Sequence, residues 1–224
     1  MLAATLPVRR ARTLRWLPGW IPRLLKPLAF PLLAVGLALL TVFLRVQHLT
    51  DIPRYTDEIN EITPAFDIVR GTSLPLVSGP KHLGSFFDFI LAGAMLVFGR
   101  SPDLPRVVIL VAGLATVLLT FGYARTLGGR WAGLIATGLL AVSAPHVLLS
   151  SRVAWSASLT PLLGIGAAWT LDLAVSRDRP WLLLVAGLMG GLALQAHPSF
   201  VTLLTEFALY AILRARPFVR RPQP

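Results

Sequence analysis

The sequence predicts an all-α, polytopic transmembrane protein with about six spans and a long first outer loop carrying interfacial helices. Three observations lead there. Hydrophobic residues make up 55% of the 224 and charged residues only 14%, against about 25% charged in a soluble domain. Mean hydropathy is +0.70. The apolar residues fall into runs close to the roughly 17–25 that cross a bilayer as helix, and charge gathers between the runs.

In chain order, the segment 1–26 carries Arg9, Arg10, Arg12, Arg15, Arg23 and Lys26 and no acid. It reads as a cytoplasmic anchor beside anionic lipid. A cleaved signal peptide is the other reading, but the next apolar run is long enough to span and no A-x-A site stands out. Candidate spans then occupy 27–46, 86–98, 106–123, 131–144, 159–175, 181–195 and 201–213. They make a transmembrane domain over 27–213, with an outer loop at 47–105. The basic tail 214–224 is a candidate truncation point, and no repeat or low-complexity tract divides the chain.

The positive-inside rule decides how many runs cross. Were all seven to cross, the 125–130 turn and the tail with Arg214, Arg216, Arg220 and Arg221 would lie outside, against the rule. If the short run 86–98, with Asp88 near its start, lies along the outer interface, the pattern becomes regular. The inner side then holds 14 of the 21 basic residues and the loop 47–105 holds seven of the ten acids. This places an integral protein in the plasma (inner) membrane with its N-terminus in the cytoplasm.

Within that loop Pro53 breaks the preceding helix. Thr63 and Pro64 have the form of an N-cap and a first helical position, so a short helix is expected over 64–70, ended by Gly71. Asp57 and Glu58 would sit on the segment before it. Asp57 is a candidate catalytic carboxylate, and helix capping is an equally good reading of it from the sequence alone. The outer connections also offer Lys81, His82, Arg152 and His197. Lipid headgroup contact, helix anchoring and a satisfied histidine beside Pro198 are the ordinary alternatives for Lys81, Arg152 and His197. Charge at a bilayer surface is expensive enough to favour function.

Such a set suits acid–base and electrostatic chemistry. A carboxylate in a partly dehydrated cleft can take the proton of an attacking hydroxyl while Lys and Arg neutralise a departing phosphate. No G-x-S-x-G, H-E-x-x-H or P-loop occurs. Cysteine is absent, which removes thiol chemistry. His82, His146 and His197 lack the i, i+4 spacing of a helical metal face. No metal site is expected from them and no cofactor is implied, although a divalent metal stays open. The basic residues form no stripe with interleaved aromatics, so nucleic acid is not an expected partner.

The stretches "RVQHLTDIPRYTDEINEITPAFDIVRGTSLPL", "GPKHLGSFFDFILAGAMLVFG" and "PRVVILVAGLATVLLTFGYARTLGGRWAGLIATGLLAVSAPHVLLSSRVAW" resemble the N-terminal portion of GT-C polytopic glycosyltransferases of the protein O-mannosyltransferase and RgtA/B/C/D-like group. The likeness covers about residues 44–200. It rests on the Asp-Glu pair after the first span, a basic residue before an interfacial helix, an arginine opening the next span, the "LGGR" turn, and "SAP" leading to "SR". The resemblance implies a hexosyltransferase that moves a sugar from a polyprenyl-phosphate donor to a protein, lipid or glycan acceptor on the extracytoplasmic side. It makes Asp57 the catalytic acid or base with Glu58 beside it, and Lys81 and Arg152 the groups that meet the donor phosphate. His82 and His197 join them as candidate substrate-binding residues. Relatives of that group are commonly longer, so the chain would be a fragment or a minimal member.

Two other classes stay open. A lipid or solute transporter would mark its path with intramembrane charge, and here Asp172 and Glu206 are the chief ones. A non-catalytic membrane subunit would use small-residue faces such as "GLMGGLAL" to dock on partner helices.

Overall fold

The computed structural model describes residues 25–47, 49–51, 53, 56–78 and 83–219. The segment 1–24, the residues 79–82 with Lys81 and His82, and the tail 220–224 lie outside the described residues. The regular secondary structure of the described residues is helical apart from a two-residue antiparallel ladder that pairs β1 (Val77–Ser78) with β2 (Leu83–Gly84).

Helix α1 (Leu25–Val46) is the first apolar run; Leu28, Leu32, Leu39 and Phe43 stand exposed, as expected of a surface whose solvent is lipid. Helix α2 (Thr56–Arg70) begins eight residues before the expected start and carries Pro64 in its interior. Thr63 therefore does not act as an N-cap: its hydroxyl donates to the Ile59 carbonyl at 3.0 Å, a bond internal to the helix. The expected end is correct. Gly71 sits at φ 72°, and the Thr72 N–H donates to the Asp67 carbonyl, closing a Schellman turn.

Helix α3 (Phe86–Phe98) has the expected bounds. At 13 residues it is about 20 Å long, short of a hydrocarbon core of about 30 Å. Phe87, Leu91, Ala92 and Met95 bury one face in a cluster that includes Ala65 of α2 and Ile109 further on.

Helix α4 (Leu104–Ala141) covers 38 residues and contains two of the expected spans. Gly129, at φ 81° and ψ −177°, interrupts it. A side chain there would strain this left-handed backbone, so glycine fits the "LGGR" turn. The chain reverses at this point. The α-carbon of Gly133 packs so closely on the ring and carbonyl of Phe121 that a Cβ would lie 2.9 Å from that oxygen, a contact impossible along one straight helix. The second limb ends at Ala141 rather than at 144, because residues 144–149 form their own helix, α5 (Ala144–Leu149), with Pro145 in its first turn.

A 3-10 turn (Ser156–Leu159) leads into α6 (Thr160–Ser176). Helix α7 (Trp181–Ala196) follows, then a 3-10 turn (Pro198–Phe200) and α8 (Val201–Val219). Contacts fix the direction of each. Phe30 of α1 stacks edge-on against Trp131, whereas Arg45 at its other end reaches Ser150. Gly122 meets Trp169, Gly84 meets Gln195, and the Tyr210 hydroxyl donates to Asp172 at 2.6 Å. Helix α1, the two limbs of α4, α6, α7 and α8 thus traverse one bundle in alternating directions. Among the described residues three helices are long and apolar enough to cross a membrane by themselves, over Leu28–Val46, Leu104–Ala141 and Ser156–Ser176, and α4 supplies two of the traverses. The segments Phe86–Phe98, Trp181–Ala196 and Pro198–Leu213 are shorter and apolar. Helix α3 starts beside Gln195 and leads into Leu104, both at one end of the bundle, so it lies across that end.

Candidate functional site

The end of the bundle that carries α2 and α3 also receives the close of α1, the start of α4, helix α5 and the turn 150–159. Two carboxylates of α2 bind these pieces together. Glu58, fully buried, makes a two-pronged ion pair with the equally buried Arg106: Nε donates to Oε1 at 3.1 Å and Nη2 to Oε2 at 3.0 Å. Oε1 also accepts the Ala154 N–H at 2.8 Å, and Arg106 Nη1 donates to the Leu49 carbonyl at 2.9 Å. One turn along, the buried Glu61 accepts from the N–H and the hydroxyl of Ser156 at 3.0 and 2.9 Å. Residues three apart on a helix share a face. That face grips the extended run after Arg152 at two points, as a charge buried this far from water requires.

Arg45 is the second anchor. Its side chain is wholly buried near the end of α1, yet among the described residues no carboxylate forms an ion pair with it. Nε donates to the Ser150 hydroxyl, Nη1 to the carbonyls of Thr41 and Ala141, and Nη2 to the Leu140 carbonyl and His146 Nδ1. All five N–H donors are used. The Leu140 and Ala141 carbonyls lie at the C-terminal end of the second limb of α4, where orphan acceptors and the negative end of the helix dipole favour a cation. Gly113 permits the approach: a Cβ there would collide with Ser150, one of the groups that Arg45 holds.

Arginine has no acceptor, so His146 Nδ1 accepts from Nη2 at 2.8 Å and the ring proton sits on Nε2. Burial first, and the Arg45 charge second, push this imidazole down to about 4. The sign follows directly. A base whose folded value is depressed contributes fully above its unfolded value of about 6.5 and loses that contribution as pH falls toward 4. Thermal unfolding in detergent should therefore show a loss of stability between pH 6.5 and 4 that is smaller in His146→Gln, which keeps a neutral acceptor. Equal pH profiles for the two proteins would refute the assignment.

Of the residues expected from the sequence, Asp57 is the second residue of α2 and Glu58 its neighbour. The side chain of Asp57, like the whole of Lys81 and His82, lies outside the described residues. Arg152 is half-buried two residues before Ala154, and among the described residues its buried Nε has no hydrogen-bond partner. The backbones of Asp57 and Arg152 are thus brought to one end of the bundle through Glu58 and Ala154. His197 caps the 3-10 turn after α7: its Nδ1 meets the Ser199 hydroxyl at 2.7 Å and accepts the Ser199 N–H at 3.2 Å. It also lines a cleft of about 570 Å³ between α6 and α8, with Thr160 and Ser199 near it and Ile165, Leu203 and Phe207 along its apolar length.

Arg45, Glu61 and Ser156 were not among the expected site residues. The i, i+3 spacing of Glu58 and Glu61 marks a shared acidic face only once the helix is known to start at Thr56, eight residues before the expected start. Nothing local marks Arg45, because a basic residue ending an apolar run ordinarily reads as a boundary charge.

A helical bundle with apolar outer faces, and a polar, ion-paired layer folded over one end, defines a polytopic membrane protein whose polar chemistry lies at that end. Residues 84–224, more than half of the chain, match the model of the dolichyl-phosphate-mannose-protein mannosyltransferase family, and the chain belongs to that family. It is a family of membrane glycosyltransferases. No curated protein and no solved structure matches the chain. The matched span contains Arg106, Arg152 and His197, and it begins after Asp57, Glu58, Lys81 and His82.

Proposed function

We propose that the chain forms the donor-binding and catalytic end of a transferase that moves a hexose from a polyprenyl phosphate to a protein, lipid or glycan acceptor. In this reading the α2–α3 end faces the extracytoplasmic side of the inner membrane, with the N-terminus in the cytoplasm. The observation that carries it is the buried Glu58–Arg106 pair. It holds the first turn of α2, and with it Asp57, against the extended run that leads from Arg152.

Asp57 is the general base toward the acceptor hydroxyl: as it takes the proton, the oxygen attacks the anomeric carbon and the bond to phosphate breaks. Arg152, whose Nε has no partner among the described residues, meets the charge that collects on the leaving phosphate, together with Lys81. Glu58 acts by position, since Arg106 and Ala154 occupy its oxygens. The α6–α8 cleft, polar near His197 and apolar along its length, supports a place for the polyprenyl chain.

The test is transfer in proteoliposomes that contain the chain, radiolabelled mannose on dolichyl phosphate, and an extract of membrane proteins as acceptor source. The expected result is label leaving the lipid fraction for the acceptor fraction. Label that crosses the bilayer still attached to its lipid would establish a transporter instead, and label that neither leaves the lipid nor crosses would defeat the transferase reading of this chain.

A further inference from the structure

The layer formed by α2 and α3 has a surface that the site does not use. Phe66 of α2 packs on the core cluster, and its ring is the meeting point of two cations. The Arg70 guanidinium carbon lies 6.0 Å from the ring centroid and that of Arg100 lies 5.8 Å from it. Arg70 closes α2 and Arg100 follows α3 by two residues; both are exposed. Among the described residues neither makes an ion pair, and Asp67, one turn before Arg70, makes none with it. The ring's quadrupole attracts each cation but matches the charge of neither. An anion between or beside them would complete the arrangement, and the guanidinium fork suits a phosphate.

The surroundings say which anion. Leu74, Leu76 and Val77 follow Arg70, and Leu96, Val97 and Phe98 precede Arg100; all six are between 59% and 87% exposed. Such side chains next to exposed arginines fit the headgroup boundary of a bilayer, where the apolar groups enter the acyl layer and the guanidiniums stay at phosphate level. A phosphate in free solution would have no use for the apolar rim.

We infer that Arg70 and Arg100, steadied on Phe66, form a binding site for the phosphate of an anionic phospholipid, which fastens the α2–α3 layer to the membrane surface. The site does not depend on transferase activity. An arginine near an anionic lipid surface is expected to contribute about fivefold in affinity, so the pair should contribute about 25-fold.

The experiment is native mass spectrometry of the full chain released from detergent, titrated with phosphatidylglycerol or phosphatidylcholine. Wild type should retain phosphatidylglycerol in preference, and R70Q/R100Q should lose about 25-fold of that binding. R177Q/R179Q, exposed at the opposite end of the bundle, should lose clearly less, since among the described residues no shared aromatic ring steadies those two arginines. The conservative R70K/R100K should fall between, since it keeps charge and loses the fork. Phe66→Leu, which keeps an apolar side chain at the core, should weaken binding and serves if the double variant fails to fold. Equal retention by wild type and R70Q/R100Q would overturn the inference, as would equal binding of the two lipids. Displacement of phosphatidylglycerol by inorganic phosphate at the same concentration would show a general anion site and overturn it too.

Discussion

Asp57→Asn is expected to insert, fold and unfold as the wild type does while sugar transfer falls by about 10²–10⁴-fold, the usual contribution of a positioned general base. The substitution keeps size and the capacity to cap a helix, and removes only charge and basicity. Its structural cost should be small. The described contacts that pin α2 to the bundle run through Glu58 and Glu61, and a carboxylate in a first helical turn contributes only about 0.3–1 kcal/mol through the helix dipole. A mere cap and a catalytic base therefore predict different results. A cap predicts full transfer with a slight loss of stability, and a base predicts lost transfer with stability almost unchanged. Initial rates from dolichyl-phosphate mannose, measured beside detergent unfolding curves, distinguish them; full activity in the variant would remove Asp57 from the mechanism.

The parts of the fold that the sequence revealed are those governed by local rules. Apolar run length located the traverses, and basic residues at their ends gave a parity that left 86–98 out of the bundle. Helix α3 indeed starts and finishes at one end. Gly129 was legible as a turn because a reversal between two apolar runs needs a glycine-tolerant backbone. The start of α2 was misplaced for a tertiary reason. Thr63-Pro64 is a sound local start signal, but the bonds that Glu58 and Glu61 make to residues almost a hundred positions away stabilise the preceding turns and carry the helix through the proline.

The site divides in the same way. The acidic cluster after the first span was visible as composition, yet which of its members meets solvent and which is buried depends on partners such as Arg106 and Ala154 that no spacing rule connects to it. Arg45 shows the limit most clearly. An arginine with no carboxylate looks like a membrane-boundary charge in one dimension and becomes the hub of Ser150, His146 and the end of α4 in three.

Removing one member of the Glu58–Arg106 pair should give the largest stability loss among single substitutions at this end of the bundle. The pair is buried at 0% and 1% exposure, so Arg106→Ala leaves an uncompensated carboxylate and Glu58→Ala an uncompensated guanidinium, each costing about 3–5 kcal/mol. Glu58→Ala also deprives the Ala154 N–H of its acceptor, a further loss of about 1–3 kcal/mol. Glu58→Gln separates the two contributions: it retains an oxygen for Ala154 while giving up the charge, and should be milder than alanine. The double variant Glu58→Met with Arg106→Met removes both charges and fills the space, so its loss should be far smaller than the sum of the single alanine variants. Unfolding by denaturant in detergent micelles measures all four. Single-alanine effects within about 0.5 kcal/mol of wild type, the range of ordinary surface substitutions, would mean that water reaches the pair and that it does not hold Asp57 toward Arg152.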